Sequence, residues 1–317
     1  MPARILVVGS INMDLVVRAP RFPRAGETLR GEGFKLVPGG KGANQAVAAS
    51  RLGASVKMVG RVGADAFGPE LRKTLEEAGV DVAEVKPVSG AATGVALIIL
   101  DASGQNSIIV AQGANLLVRP EDLRPLGALF EQSEVLLLQL EIPLESVEQA
   151  VKMAKERGIK VVVDAGPPTP LGRELLREID VLSPNETEAA ALLGHEVKSL
   201  EEAKEAGKQL LEMGAGSVVF KLGERGCLVI TPEKMERFPA YKVEVVDATA
   251  AGDAFTAALA VGLAEGRPLS EAAVFANAAG ALACTRFGAQ PSMPTRAEVE
   301  KFIANRRFTR QSLGEGG

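Results

Sequence analysis

The strongest constraint on this chain is a set of short aliphatic runs with no polar face. Residues 5–8 read Ile-Leu-Val-Val and end in Gly9-Ser10. A strand so uniformly apolar is covered on both sides, the pattern of a parallel sheet. Further runs fall at 56–59, 135–140, 161–164, 181–183, 217–221 and 227–230. Amphipathic stretches of helical period lie between several of them, at 43–52, 68–78, 144–157, 186–193 and 200–213. Buried strands alternating with such helices predict an α/β fold with a mostly parallel central sheet and helices on both faces.

Two segments break the alternation. Residues 14–35 alternate, contain Gly and Pro, and lack a helical period. Residues 93–112 hold two β runs around the polar turn Asp101-Ala-Ser-Gly, which reads as a hairpin. Together they predict a small antiparallel sheet projecting as a lid, a dimer interface or both, with edges that need cover. The main domain is then 1–13, 36–92 and 113–308, and the lid 14–35 and 93–112. Helices are expected at 253–265, 269–285 and 296–305. The polar, Gly-rich tail 309–317 is expected to be disordered.

A chain of 317 residues can bury a sizeable core, in one large domain or two. Its 36 Lys and Arg against 40 Asp and Glu give a net charge of -4, so nothing draws the whole chain to nucleic acid or an anionic membrane. Anionic ligands must be held locally. Cys227 and Cys284 lack metal-ligand spacing and read as small hydrophobes of a reducing compartment. The apolar runs are too short for a signal peptide or a membrane span, so a cytoplasmic location is expected. His195, the only histidine, sits in a predicted loop, and no GxSxG elbow accompanies it.

Three motifs carry chemistry. Asp247-Ala-Thr249-Ala250-Ala251-Gly252-Asp253 follows a β run and opens a helix near Asp253. Small residues at a helix N-terminus let an anion approach the backbone N–H groups. An Asp there also serves as a helix cap. Gly39-Gly40-Lys41-Gly42-Ala43-Asn44 forms a second Gly-rich turn before a helix, and matches neither a P-loop nor a dinucleotide fingerprint. Ser10-Ile-Asn12-Met-Asp14 follows the first strand, where Asn12 and Asp14 face the same way on an extended chain. Glu141, Asn185 with Glu188, and the turn Lys221-Leu222-Gly223-Glu224-Arg225-Gly226 also follow apolar runs. Polar groups at so many strand ends converge on one rim of the sheet.

These motifs resemble the PfkB carbohydrate kinases and, within them, the ribokinases. Residues 39–53 with Gly60-Arg-Val-Gly-Ala-Asp65 are similar to the first family signature, and residues 247–255 to the second. Ser183-Pro-Asn-Glu-Thr-Glu188 resembles the Asn-x-x-Glu motif, and residues 285–292 the C-terminal ion loop. The likeness runs from about residue 4 to about residue 304. Ala248 and Ala254 stand where Thr is common, and Asn277 where some members have His.

The resemblance implies a ribokinase-like, three-layer Rossmann-type fold with a β lid that often makes a homodimer. It implies ATP as phosphate donor, Mg²⁺, K⁺ as activator and D-ribose as acceptor. Asn12, Asp14, Gly40, Lys41, Gly42, Asn44 and Glu141 would line the sugar pocket. Asp253 would be the base, with Ala250, Ala251 and Gly252 as the anion hole. Asn185, Lys221 to Gly226, Gly252 and Asn277 would face the nucleotide. Asp247, Thr249, Ala283, Arg286, Gly288 and Ser292 would hold the monovalent cation, several through carbonyls. Asn185 and Glu188 would place Mg²⁺ indirectly. Deoxyribose, 2-keto-3-deoxygluconate, fructose and nucleosides remain as other acceptors, and a non-catalytic sugar-binding regulator as a reading of another class.

Overall fold

The computed structural model describes residues 2–102, 105–305 and 311–312. The strands, in chain order, are β1 (Arg4–Val8), β2 (Asn12–Arg18), β3 (Glu32–Gly39), β4 (Ser55–Gly63), β5 (Val80–Val88), β6 (Gly94–Leu100) and β7 (Asn106–Ala111). They continue with β8 (Val135–Leu138), β9 (Lys160–Asp164), β10 (Val181–Ser183), β11 (Val218–Lys221), β12 (Cys227–Ile230), β13 (Met235–Phe238) and β14 (Gln311–Ser312). The large sheet runs β14-β13-β12-β11-β10-β9-β8-β1-β4-β5. From β11 to β5 every pair is parallel. The edge from β12 to β14 is antiparallel. The tail expected to be disordered lies outside the described residues, except for Gln311–Ser312, which pair with β13.

The helices are α1 (Lys41–Arg51), α2 (Phe67–Glu77), α3 (Pro120–Leu123), α4 (Gly127–Glu131), α5 (Leu144–Lys155) and α6 (Arg173–Arg177). Then come α7 (Glu186–Leu193), α8 (Leu200–Glu212), α9 (Ala251–Ala264), α10 (Leu269–Ala283) and α11 (Arg296–Ala304). Ile5 and Val7 of β1 join the core under α1, α9 and α10, while Leu6 and Val8 join the core under α5, α7 and α8. One strand therefore feeds both layers, as its unbroken apolar run requires.

The strand order sets the position of the site. The chain lays down β1, then β4 and β5 to one side, and returns to β8 on the other. That reversal leaves a crevice beyond the carboxyl ends of β1 and β8, the usual ligand position in an open α/β sheet. The ladder of β8 stops at Leu138, so Gln139 and Leu140, expected to extend it, instead lead into the crevice.

The lid sheet runs β3-β2-β6-β7. Its outer pairs are antiparallel, as expected, but its central pair β2–β6 is parallel. The reason is topological: β2 continues from β1 and β6 follows β5, and β1 and β5 run the same way. Asp65 anchors the root of β6. Its carboxylate accepts the Thr93 N–H at 2.7 Å and the Phe67 and Gly68 N–H groups at 3.1 Å.

Candidate active site

Gly40 joins the lid to α1 at φ 86°, in the left-handed region. A Cβ there would lie 2.7 Å from the Asn12 nitrogen, so only glycine fits. This close approach sets α1 against β2 and gathers the first cluster. The Asn115 amide fixes Asn12: its Oδ1 accepts the Ile11 N–H at 2.9 Å, and its Nδ2 donates to Asn12 Oδ1 at 2.7 Å. Glu141 accepts the Lys41 N–H at 3.1 Å and the Ser10 hydroxyl. Gly42 packs closely against Gly9 and Ser10.

Asp253 is buried within this cluster. Asn44 Nδ2 donates to its Oδ2 at 2.9 Å, Gln45 Nε2 to its Oδ1 at 3.2 Å, and Lys41 Nζ stands 3.7 Å from Oδ1. Burial raises the Asp253 pKa, and the pull of Lys41 only partly offsets it. Burial also raises Asp14, helped by Glu141 and Asp253, to about 7. Burial works against the charge on Lys41, yet Asp253, Asp164, Glu188 and Glu141 outweigh it and keep the ammonium protonated. Asn44 Oδ1 is buried without a hydrogen-bond partner, an acceptor that suits a ligand hydroxyl.

The helix behind Asp253 begins at Ala251, two residues before the expected start. Ala250 is held at φ 58°, a strained conformation for a residue with a Cβ. The Ala251 N–H bonds the Ala248 carbonyl at 3.2 Å. Helix geometry leaves the Gly252 and Asp253 N–H groups without acceptors inside α9. A Cβ on Gly252 would meet only Lys221 Nζ, at 3.9 Å, so the approach to this terminus is open. Such a terminus suits a phosphate.

Lys221 Nζ lies 2.7 Å from Asp164 Oδ1 and 3.4 Å from Glu188 Oε2. Burial opposes the charge on Asp164, but Lys221 and Lys41 hold its pKa below the usual carboxylate range. Asn185 and Glu188 do meet, as a reciprocal cap of α7 with two 2.8 Å bonds. In the turn after Lys221, Leu222 is buried in the core, Arg225 pairs with Glu186 at 2.6 Å, and Gly223 and Glu224 are exposed. Gly226 closes the turn by accepting the Leu222 N–H at 2.8 Å. Asn277 on α10 donates to the Pro239 carbonyl at 2.8 Å, which ties the helix to the chain just after β13.

The residues expected to hold a cation lie on two segments joined by a hydrogen bond between Gly288 and Asp247. Asp247 accepts the Thr249 and Gly288 N–H groups, each at 2.9 Å. Ser292 donates to the Ala289 carbonyl at 2.7 Å. Arg286 pairs with Glu298, and the Ala283 carbonyl accepts the Arg286 N–H at 3.3 Å. Among the described residues no group of three or more His, Cys, Asp or Glu side chains is placed to hold a metal.

Sequence reasoning did not single out Asn115, Asp164, Gln45, Gln139 or Thr256 as site residues. Asp164 offered one signal, a lone charge ending an apolar run. Gln45 lay inside a motif already noted for its neighbours.

The model of the pfkB family carbohydrate kinases matches residues 2–296. The chain belongs to this family. The ribokinase of Haemophilus influenzae is 40% identical over 303 residues, covering 96% of this chain and 99% of that one. The ribokinase of Bacillus subtilis is 41% identical over 305 residues. Among solved structures, Arabidopsis thaliana ribokinase complexed with ribose and ATP superposes with a TM-score of 0.87 at 38% identity, covering 95% of this chain and 99% of that one. In this pfkB family chain the buried Asp253 lies in the first turn of α9, hydrogen-bonded to Asn44 of α1.

Proposed function

We propose that this kinase transfers the γ-phosphate of ATP to the 5-hydroxyl of D-ribose, giving ribose 5-phosphate and ADP. One observation carries the reading: a buried carboxylate, Asp253, stands at the N-terminus of α9 with sugar-type hydrogen-bonding groups on its other side. Asn12, Asp14, Asn44 and Glu141 would hold the sugar hydroxyls. Asp253 would take the proton of the attacking hydroxyl, and its raised pKa makes it a stronger base. The Gly252 and Asp253 N–H groups, with Lys41 and Lys221, would stabilise charge on the phosphoryl group.

Mg²⁺, when bound, offsets phosphate charge. With no three-carboxylate cluster among the described residues, phosphates and water would supply most of its ligands, and Glu188 would act through water. The Asp247 and 285–292 segments would hold K⁺ largely through carbonyl oxygens. We place the enzyme in the cytosol; among the described residues no helix is long and apolar enough to cross a membrane. A homodimer through the lid is supported by the exposed Phe34, Leu36, Leu97 and Ile109.

A deoxyribokinase of Salmonella typhi is 34% identical over 304 residues, which keeps deoxyribose as the second acceptor to test. The test is ADP release from ATP and Mg²⁺ over a panel of sugars, with and without K⁺. Turnover on ribose, raised by K⁺, is the expected result. Turnover on another sugar alone would overturn the substrate assignment, and none on any sugar would favour a non-catalytic binder.

A further inference from the structure

We infer that Gln45 is a positioning residue for the base: its side-chain amide bridges Asp164 and Asp253 and sets the direction of the Asp253 carboxylate. The inference rests on the kinase reading above. Gln45, Gln139 and Asp164 are all fully buried. Gln45 Nε2 donates to Asp164 Oδ2 at 2.7 Å and to Asp253 Oδ1 at 3.2 Å. An amide between two carboxylates must present its NH₂ group to them, because the opposite orientation sets oxygen against oxygen. Its Oε1 then needs a donor, and Gln139 Nε2 supplies one at 2.6 Å.

Gln139 gives up its own satisfaction to do this, since its Oε1 is buried with no hydrogen-bond partner. Asp164 is fixed in turn by Lys221 at 2.7 Å and by the Thr256 hydroxyl at 3.3 Å. The chain Gln139–Gln45–Asp164 thus runs beneath the base and ends on a buried ion pair. Asn44 holds the other Asp253 oxygen at 2.9 Å. With a donor on each oxygen, the carboxylate cannot rotate freely.

The charged groups around Asp253 are Lys41 on α1, Asp164 at the end of β9, Asp14 on β2 and Lys221 beside Gly252. Glu141 and Glu188 act on Lys41 beside it. Gln45 is the neutral donor shared by the two neighbouring carboxylates, and it adds to the pull of Lys41 in favouring the charged form of Asp253. Without it, the base holds its proton to higher pH and loses its alignment.

The test is Gln45→Met, close in volume and without the amide. Turnover should fall about 10- to 100-fold, as expected for a misaligned reacting group. The ribose and ADP dissociation constants should stay within about threefold, and the acidic limb of the kcat–pH profile should move up by about half a unit or more. Gln139→Met should shift the profile the same way by less, and it carries the test if Gln45→Met does not fold. An unshifted profile in folded variants, with or without lost turnover, overturns the proposal and leaves Gln45 a packing residue. A wild-type enzyme inactive on every sugar would instead sink the kinase reading, before any variant is compared.

Discussion

Asp14 should make the protein less stable as the pH rises, and replacing it should remove that dependence. Its folded pKa is about 7, against 3.8 for the free group, with burial the largest cause. Between about pH 4 and pH 7 the unfolded chain has released this proton and the folded chain keeps it. Folding then takes up a proton, so stability falls as pH rises and the loss is complete above the folded pKa. At 1.36 kcal/mol per unit, the full effect is about 4 kcal/mol, of which about 2–3 kcal/mol falls between pH 5 and pH 8. Asp14→Asn removes the titration and leaves the other buried carboxylates in place. The stability difference between Asp14→Asn and wild type, from urea unfolding, should therefore move in the variant's favour by about 2–3 kcal/mol from pH 5 to pH 8. Ribose affinity should drop in the same variant. A difference that stays flat across this range would refute the argument that Asp14 is buried against like charges.

Other outcomes follow from the same geometry. Asn115→Ala removes the hold on Asn12 and should weaken ribose binding about tenfold by calorimetry, with the ADP affinity unchanged. Ile109→Glu, on the exposed face of β7, should convert the proposed dimer to a monomer in light scattering; an unchanged mass would move the interface elsewhere. Asp65→Ala frees the root of β6 and should speed hydrogen exchange in the lid more than in the central sheet.

Much of the fold was legible because a buried parallel strand has to be apolar on both faces. β5 and β13 escaped that criterion because their burial is partial: β5 is an edge strand, and β13 alternates buried and half-buried residues. The direction of β2 against β6 was hidden because it depends on how β1 and β5 pair in a different sheet. At the site, Asn12, Lys41, Asn44 and Asp253 lie in compact local motifs, and the structure brings them together. Asp164 and Lys221 meet across 57 positions, and Asn115 reaches Asn12 across 103, so no local pattern announces either pair. The Asn185–Glu188 spacing was visible, but the same four-residue pattern also caps a helix, and here it does.

The most direct test of the account is Asp253→Asn, measured for turnover with ribose and ATP and for ribose binding by calorimetry. With Asp253 as the base, turnover falls by about 10²–10⁴-fold while ribose binds nearly as tightly as to wild type. Turnover near the wild-type rate would contradict it and remove Asp253 as the base.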